Sequence, residues 1–153
     1  MAESVHHVSV VTADPAAVIR FLGVLGMSPL AEVEVPRAEV ADMLGLEQDS
    51  GTVRSTILGN GTAGLIEVIA LVEAVEPAPN AGPVAGLLQL AVLVEDVSDV
   101  LAECDDVVAD VVGPRELAVS GGRVLVASVS VAGVRFQLTQ PLGRASPKKR
   151  SEA

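Results

Sequence analysis

His7-Val8-Ser9-Val10-Val11-Thr12-Ala13-Asp14-Pro15 decides the fold. Its first part is rich in β-branched residues and reads as a strand over Val5 to Thr12. Asp14-Pro15 then opens a helix, with Asp as N-cap and Pro at the first helical position. Val18, Phe21, Leu22 and Leu25 follow at i, i+3, i+4 and i+7, the stripe of an amphipathic helix. Gly26 closes it, since only glycine adopts the left-handed cap conformation without steric cost.

Beyond Gly26 the pattern turns to strands. Residues 31–35 form a strand before Pro36, and Ala38 to Leu46 a short helix or ordered insertion. Val53 to Leu58 and Leu65 to Val72 are strands joined through a Gly59-Asn60-Gly61 turn. Glu76 to Pro83 is a linker by composition. Then the pattern restarts: a strand over Leu87 to Val94, a cap at Asp96 or Ser98, and a stripe of Val97, Val100, Leu101 and Cys104. A strand over Val107 to Val112, a Gly121-Gly122 turn, and strands over Val124 to Val131 and Val134 to Thr139 complete it. Gln89 follows His7, and Asp96 follows Asp14, at one offset of 82 (89 − 7 and 96 − 14). Strand, acidic cap and helix stripe recurring at one spacing signal an internal duplication.

Length and composition bound the function. A chain of 153 residues is one domain, expected over 1–141 with halves 5–75 and 84–141, followed by a disordered polar tail over 142–153. Its two aromatic residues are Phe21 and Phe136, so the core is aliphatic. A net charge of −10 repels phosphate backbones, and few aromatics leave no platform for stacking bases, which argues against nucleic acid. The apolar runs are too short and broken to span a bilayer. Cys104 is the single cysteine, so no internal disulfide forms. With no secretory pattern at the N-terminus, a cytoplasmic location is expected. Gly121-Gly122-Arg123 reads as a hairpin turn before an anion clasp.

Chemistry shows where polar residues interrupt apolar strands. Alternation puts Glu67 on one face with Leu65, Ile69 and Leu71, while Ile66, Val68 and Ala70 take the other. A carboxylate among such neighbours is costly without a partner: a metal, a cation, a ligand or a watery cavity. His7 shares a face with Ser9 and Val11, Gln89 with Ala91 and Leu93, and Gln137 with Arg135 and Thr139. Alternation also sets His6 on the face opposite His7, so the two are not expected to chelate.

The stretches His7 to Asp14, Phe21-Leu22-Gly23-Val24-Leu25-Gly26, Leu65-Ile66-Glu67-Val68 and Val134-Arg135-Phe136-Gln137-Leu138 resemble the vicinal oxygen chelate superfamily, over residues 5–141. That superfamily includes glyoxalase I, methylmalonyl-CoA epimerase, extradiol dioxygenases and bleomycin-resistance proteins. The resemblance implies an α+β fold in which two βαβββ modules form a curled mixed sheet around a cleft. It implies one metal ligand from each of four strands, here His7, Glu67, Gln89 and Gln137. An acid is usual at the last position, and the amide of Gln137 cannot take a proton at neutral pH. Gln89 and Gln137 together therefore disfavour classical glyoxalase I and extradiol dioxygenase chemistry.

Two functions stay open. One is a metal-dependent lyase, isomerase or epimerase, with Zn, Ni, Co, Mn or Fe at His7 and Glu67 and Glu67 as the best catalytic candidate. The other is a non-catalytic protein that sequesters a small molecule, with Gln89, Gln137 and Arg135 as ligand-binding groups. A homodimer is expected in either case, because exposed sheet edges need covering. Without metal, Glu67→Gln is expected to stabilise the protein by removing an unpaired buried charge.

Overall fold

Why the first half folds as it does is visible at Asp14. Its carboxylate accepts a hydrogen bond from the Ala17 amide at 3.1 Å, satisfying one of the unpaired donors of a helix start. Pro15 sits in the first turn, and α1 (Pro15–Val24) follows. At its other end Met27 N–H reaches Leu22 C=O at 2.9 Å, while Gly26 takes φ of 81°. Val18, Phe21 and Leu22 are buried. Each such apolar side chain contributes roughly 1.5–3 kcal/mol to stability through burial.

The computed structural model describes residues 6–44, 51–61, 64–71, 89–119 and 122–142. The expected linker, the tail from Gly143 and the start of the first strand at Val5 lie outside them. In the first half, β1 (His7–Thr12), β2 (Ser28–Pro36), β3 (Thr52–Gly59) and β4 (Leu65–Ala70) form a sheet in the order β1-β4-β3-β2. In the second, β5 (Leu90–Leu93), β6 (Ala109–Val119), β7 (Gly122–Val131) and β8 (Val134–Pro141) form a sheet in the order β5-β8-β7-β6. Both sheets pair their first and last strands in parallel and the rest antiparallel. Each also has a helix after its first strand. In the second half this is α3 (Val97–Glu103), whose first amides, Ser98 and Asp99, donate to the Asp96 carboxylate at 2.7 and 3.1 Å. The duplication signalled by the offset of Asp14 and Asp96 is therefore a duplication of topology.

One core joins the halves. Val10, Phe21, Leu58 and Val68 belong to the same buried cluster as Val97, Val129, Phe136 and Leu138. The two phenylalanines meet there, one from each half, with ring centroids 4.8 Å apart. Polar ties reinforce the contact. Buried Thr12 donates its hydroxyl to Ala132 C=O at 2.9 Å and accepts from the Asp14 amide at 3.1 Å. Arg20 on α1 pairs with Asp106 and reaches Glu103 C=O at 3.4 Å. Cys104 is buried in this core, as its place on the helix stripe predicts.

The helix-side faces of the sheets are thus occupied, and strand alternation turns the other residues to the open faces. On the first sheet that face carries a small second core of Val53, Ile69 and Leu71, with Val35 and Val40 packed against it. Val40 comes from α2 (Arg37–Leu44), the segment expected as a short helix or insertion. This helix therefore closes one end of the open face.

One element is longer than its sequence predicts. β6 runs from Ala109 to Val119, through Gly113-Pro114. Pro114 reads as a strand breaker, yet an edge strand needs no amide there, and the register shifts between Val112 and Arg115 absorb it. Gly122 pairs with Val119, so β6 and β7 form a hairpin, with Gly121 of the expected turn outside the described residues, and Arg123 pairs with Glu116.

Candidate polar site on the open faces

β1 and β4 run side by side with Ser9 opposite Glu67. Both point to the open face, as does Ser55 on β3 by its register with Ile69. The Ser9 hydroxyl donates to Glu67 Oε2 at 2.6 Å, and the Ser55 hydroxyl donates to Oε1 at 2.8 Å. His7 Nε2 lies 3.4 Å from Glu67 Oε2. The carboxylate is 19% exposed and the imidazole 37%. Burial alone would push the Glu67 carboxyl upward. The Ser9 and Ser55 hydroxyls, with a smaller contribution from His7, outweigh it and hold the group below its ordinary range. The partner that Glu67 requires is thus a pair of serines.

His6 differs from its expected place. Its Nδ1 lies 2.8 Å from His7 Nδ1, with the rings nearly perpendicular at 83°. His6 precedes the first strand residue, so strand alternation does not govern its ring. One imidazole donates and the other accepts.

The second sheet repeats the arrangement without charge. Ala91 pairs with Gln137 as Ser9 pairs with Glu67. Val126 pairs with Thr139 as Ser55 pairs with Ile69. Gln89 Nε2 donates to Gln137 Oε1 at 2.6 Å, and Gln137 Nε2 donates to the Thr139 hydroxyl at 3.2 Å. An amide pair stands where the first sheet has imidazole and carboxylate, and an alanine and a valine stand where it has the serines. Arg135 is exposed on the same open face as Gln137.

The structure therefore brings His7 to Glu67 and Gln89 to Gln137, each pair on its own sheet. No hydrogen bond among the described residues links one pair to the other. No group of three or more His, Cys, Asp or Glu among them is placed to hold a metal. A divalent ion with bonds of about 2.1 Å spaces two tetrahedral ligands roughly 3.4 Å apart, which suits His7 and Glu67. Only those two positions fit, because the Gln137 side-chain oxygen accepts from Gln89 and its nitrogen donates to Thr139. A groove of about 630 Å³ lies against Pro15 and Ile19 of α1, with Glu32, Arg54, Ser55 and Thr56 in its walls. It contains none of the four residues.

Ser9 and Ser55 are absent from the sequence-based site. The signal was present as hydroxyl residues on otherwise apolar strands, but it becomes specific only with the register that sets them beside Glu67.

No family model matches the sequence, and no curated protein does. Solved structures do match. A glyoxalase family protein from Bacillus cereus superposes with a TM-score of 0.71 at 17% identity, over 94% of this chain and 99% of that one. The chain has the vicinal oxygen chelate fold. A glyoxalase/dioxygenase from Nostoc punctiforme shares this fold at a TM-score of 0.56 and 20% identity, over 91% of each chain. So does TnmS3, an antibiotic binding protein from Streptomyces sp. CB03234, at 0.52 and 20%, over 92% of this chain and 97% of that one. Identities this low carry the fold and leave the chemistry to the residues. In this version of the fold, the first module has a carboxylate, Glu67, where the second has an amide, Gln137.

Proposed function

We propose that the protein binds a small molecule on its open faces without transforming it. One observation supports this reading above the others: Glu67 accepts from Ser9 and Ser55, while Gln137 accepts from Gln89 and donates to Thr139. Neither pair needs a metal to satisfy its hydrogen bonding, and the second module offers the amide of Gln137 where a carboxylate would act as a base. The antibiotic-binding role of TnmS3 shows that this fold serves such a purpose in another protein. The metal-dependent lyase or isomerase is the second reading, favoured by the 3.4 Å spacing of His7 Nε2 and Glu67 Oε2. A divalent ion bound there would polarise adjacent oxygens of a substrate. Metal analysis of untagged, purified protein separates the two. The binding reading expects no stoichiometric Zn, Ni, Co, Mn or Fe, and a stoichiometric ion overturns it.

The binding unit in this proposal is a homodimer. β1 and β5 are edge strands, Leu93 on β5 is 75% exposed, and β6 is exposed along its whole length. A second copy would cover these surfaces and screen the edges. The single cysteine, buried and unpaired, suits the reducing cytoplasm.

A further inference from the structure

We infer that the ligand taken by the first module is a compact amphipathic monocation, its protonated nitrogen set against Glu67 and its apolar body lying over β1. The inference rests on the open face being a binding site, and it names the chemistry that face selects.

Glu67 is the starting point. A carboxylate offers about four acceptor sites, and the serines use one on each oxygen. The rest remain available on a side chain that is 19% exposed. Among the described residues, Arg20 pairs with Asp106, Arg54 with Glu34 and Arg123 with Glu116. No arginine or lysine among the described residues pairs with Glu67, whose one basic neighbour is His7. The result is a fixed, ionised acceptor without a permanent countercharge, and a ligand cation supplies one. A charge-assisted bond of this kind is about twice as strong as a neutral one.

The neighbours set the rest of the ligand. Leu65 and Ile69 flank Glu67 on the open face, and Val11, paired with Ile69, is 44% exposed. The packing of Val40 on Val53 and Ile69 closes the α2 end, so the apolar body extends the other way, over β1. The equivalent positions of the second sheet, Gln89, Ala91, Val126 and Gln137, are neutral and ask for no second cation. A net charge of −10 favours the approach of a cation to the whole molecule.

The test is a titration of ¹⁵N-labelled protein, with chelator present, by n-hexylammonium, 1-hexanol and hexanoate. These probes share an apolar tail and differ in charge. The expected result is saturable movement of the Ser9, Ser55 and Glu67 amide signals with the amine. Hexanol should bind on the order of tenfold more weakly, and hexanoate more weakly still. In Glu67→Gln the preference for the amine over the alcohol should vanish. Equal binding of amine and alcohol to the wild-type open face overturns the inference while leaving the binding reading intact. Movement of signals elsewhere only, or none with any probe, removes both. The wild-type comparison stands even if Glu67→Gln fails to fold.

Discussion

Ser9 and Glu67 face each other across two parallel strands, and the hydroxyl donates to the carboxylate at 2.6 Å. With Ser55 on the neighbouring strand, this contact converts a costly buried acid into a stable anion. The same register places Ala91 against Gln137 in the second sheet, so the hydroxyl that supports the charge across the parallel strands has no counterpart there.

Removal of that support should be readable as proton affinity. Glu67 is held below its ordinary range in the folded state, so it stabilises the fold above its unfolded pKa, and that contribution fades as pH falls through the folded value. Ser55→Ala should raise the Glu67 pKa and cost about 1–2 kcal/mol at neutral pH, with the loss shrinking in acid. Carboxyl-carbon NMR titration and urea melts at two pH values check both parts. An unchanged Glu67 pKa would contradict the assigned role of the hydroxyl.

The contact between Phe21 and Phe136 makes the halves one cooperative unit. Phe136→Ala should destabilise the protein by about 3–5 kcal/mol, the range for truncating a buried aromatic residue. Both halves should loosen together, because the cluster around Phe136 includes Val10 and Val68 as well as Val129 and Leu138. Hydrogen exchange resolved by residue measures this. Loss of protection confined to the second sheet would show that the core is divided.

Assembly is a separate expectation. Sedimentation at micromolar concentration should give a dimer of the 15.6 kDa chain. Leu93→Lys, on an edge strand and largely exposed, should shift it toward monomer without lowering monomer stability by more than about 0.5 kcal/mol. A wild-type monomer at the highest attainable concentration would refute the dimer.

Much of this fold was legible from local signals. Asp14-Pro15 and Asp96 mark helix starts by their capping chemistry, and apolar stripes mark the buried helix faces. The offset shared by His7 and Asp14 marked the repeat. What stayed hidden depends on pairing between strands. Alternation groups His7 with Ser9 and Glu67 with Leu65 and Ile69, yet it cannot say that Ser9 sits opposite Glu67 or that Ser55 lies one strand further on. His6 escaped because strand geometry does not reach its ring. β6 was read short because Gly113-Pro114 signals a turn locally, whereas an edge strand tolerates it. Gln89 and Gln137 stand out in the sequence as polar heads of the second half's first and last strands, but only the parallel pairing of β5 with β8 brings their amides into contact.

The proposed function rests on serine hydroxyls, without a metal, holding the Glu67 carboxylate. Its sharpest test is a thermal-shift series on wild type and Glu67→Gln, each with Zn, Ni, Co, Mn or Fe. Sequence alone led to the expectation that Glu67→Gln would stabilise a metal-free protein, and the two serine donors reverse that sign. The expected result is a wild-type melting temperature indifferent to every metal, and a Glu67→Gln variant less stable by about 1–2 kcal/mol. A wild-type melting temperature that climbs with metal concentration, as binding to the native state requires, and a variant that no longer responds would contradict it.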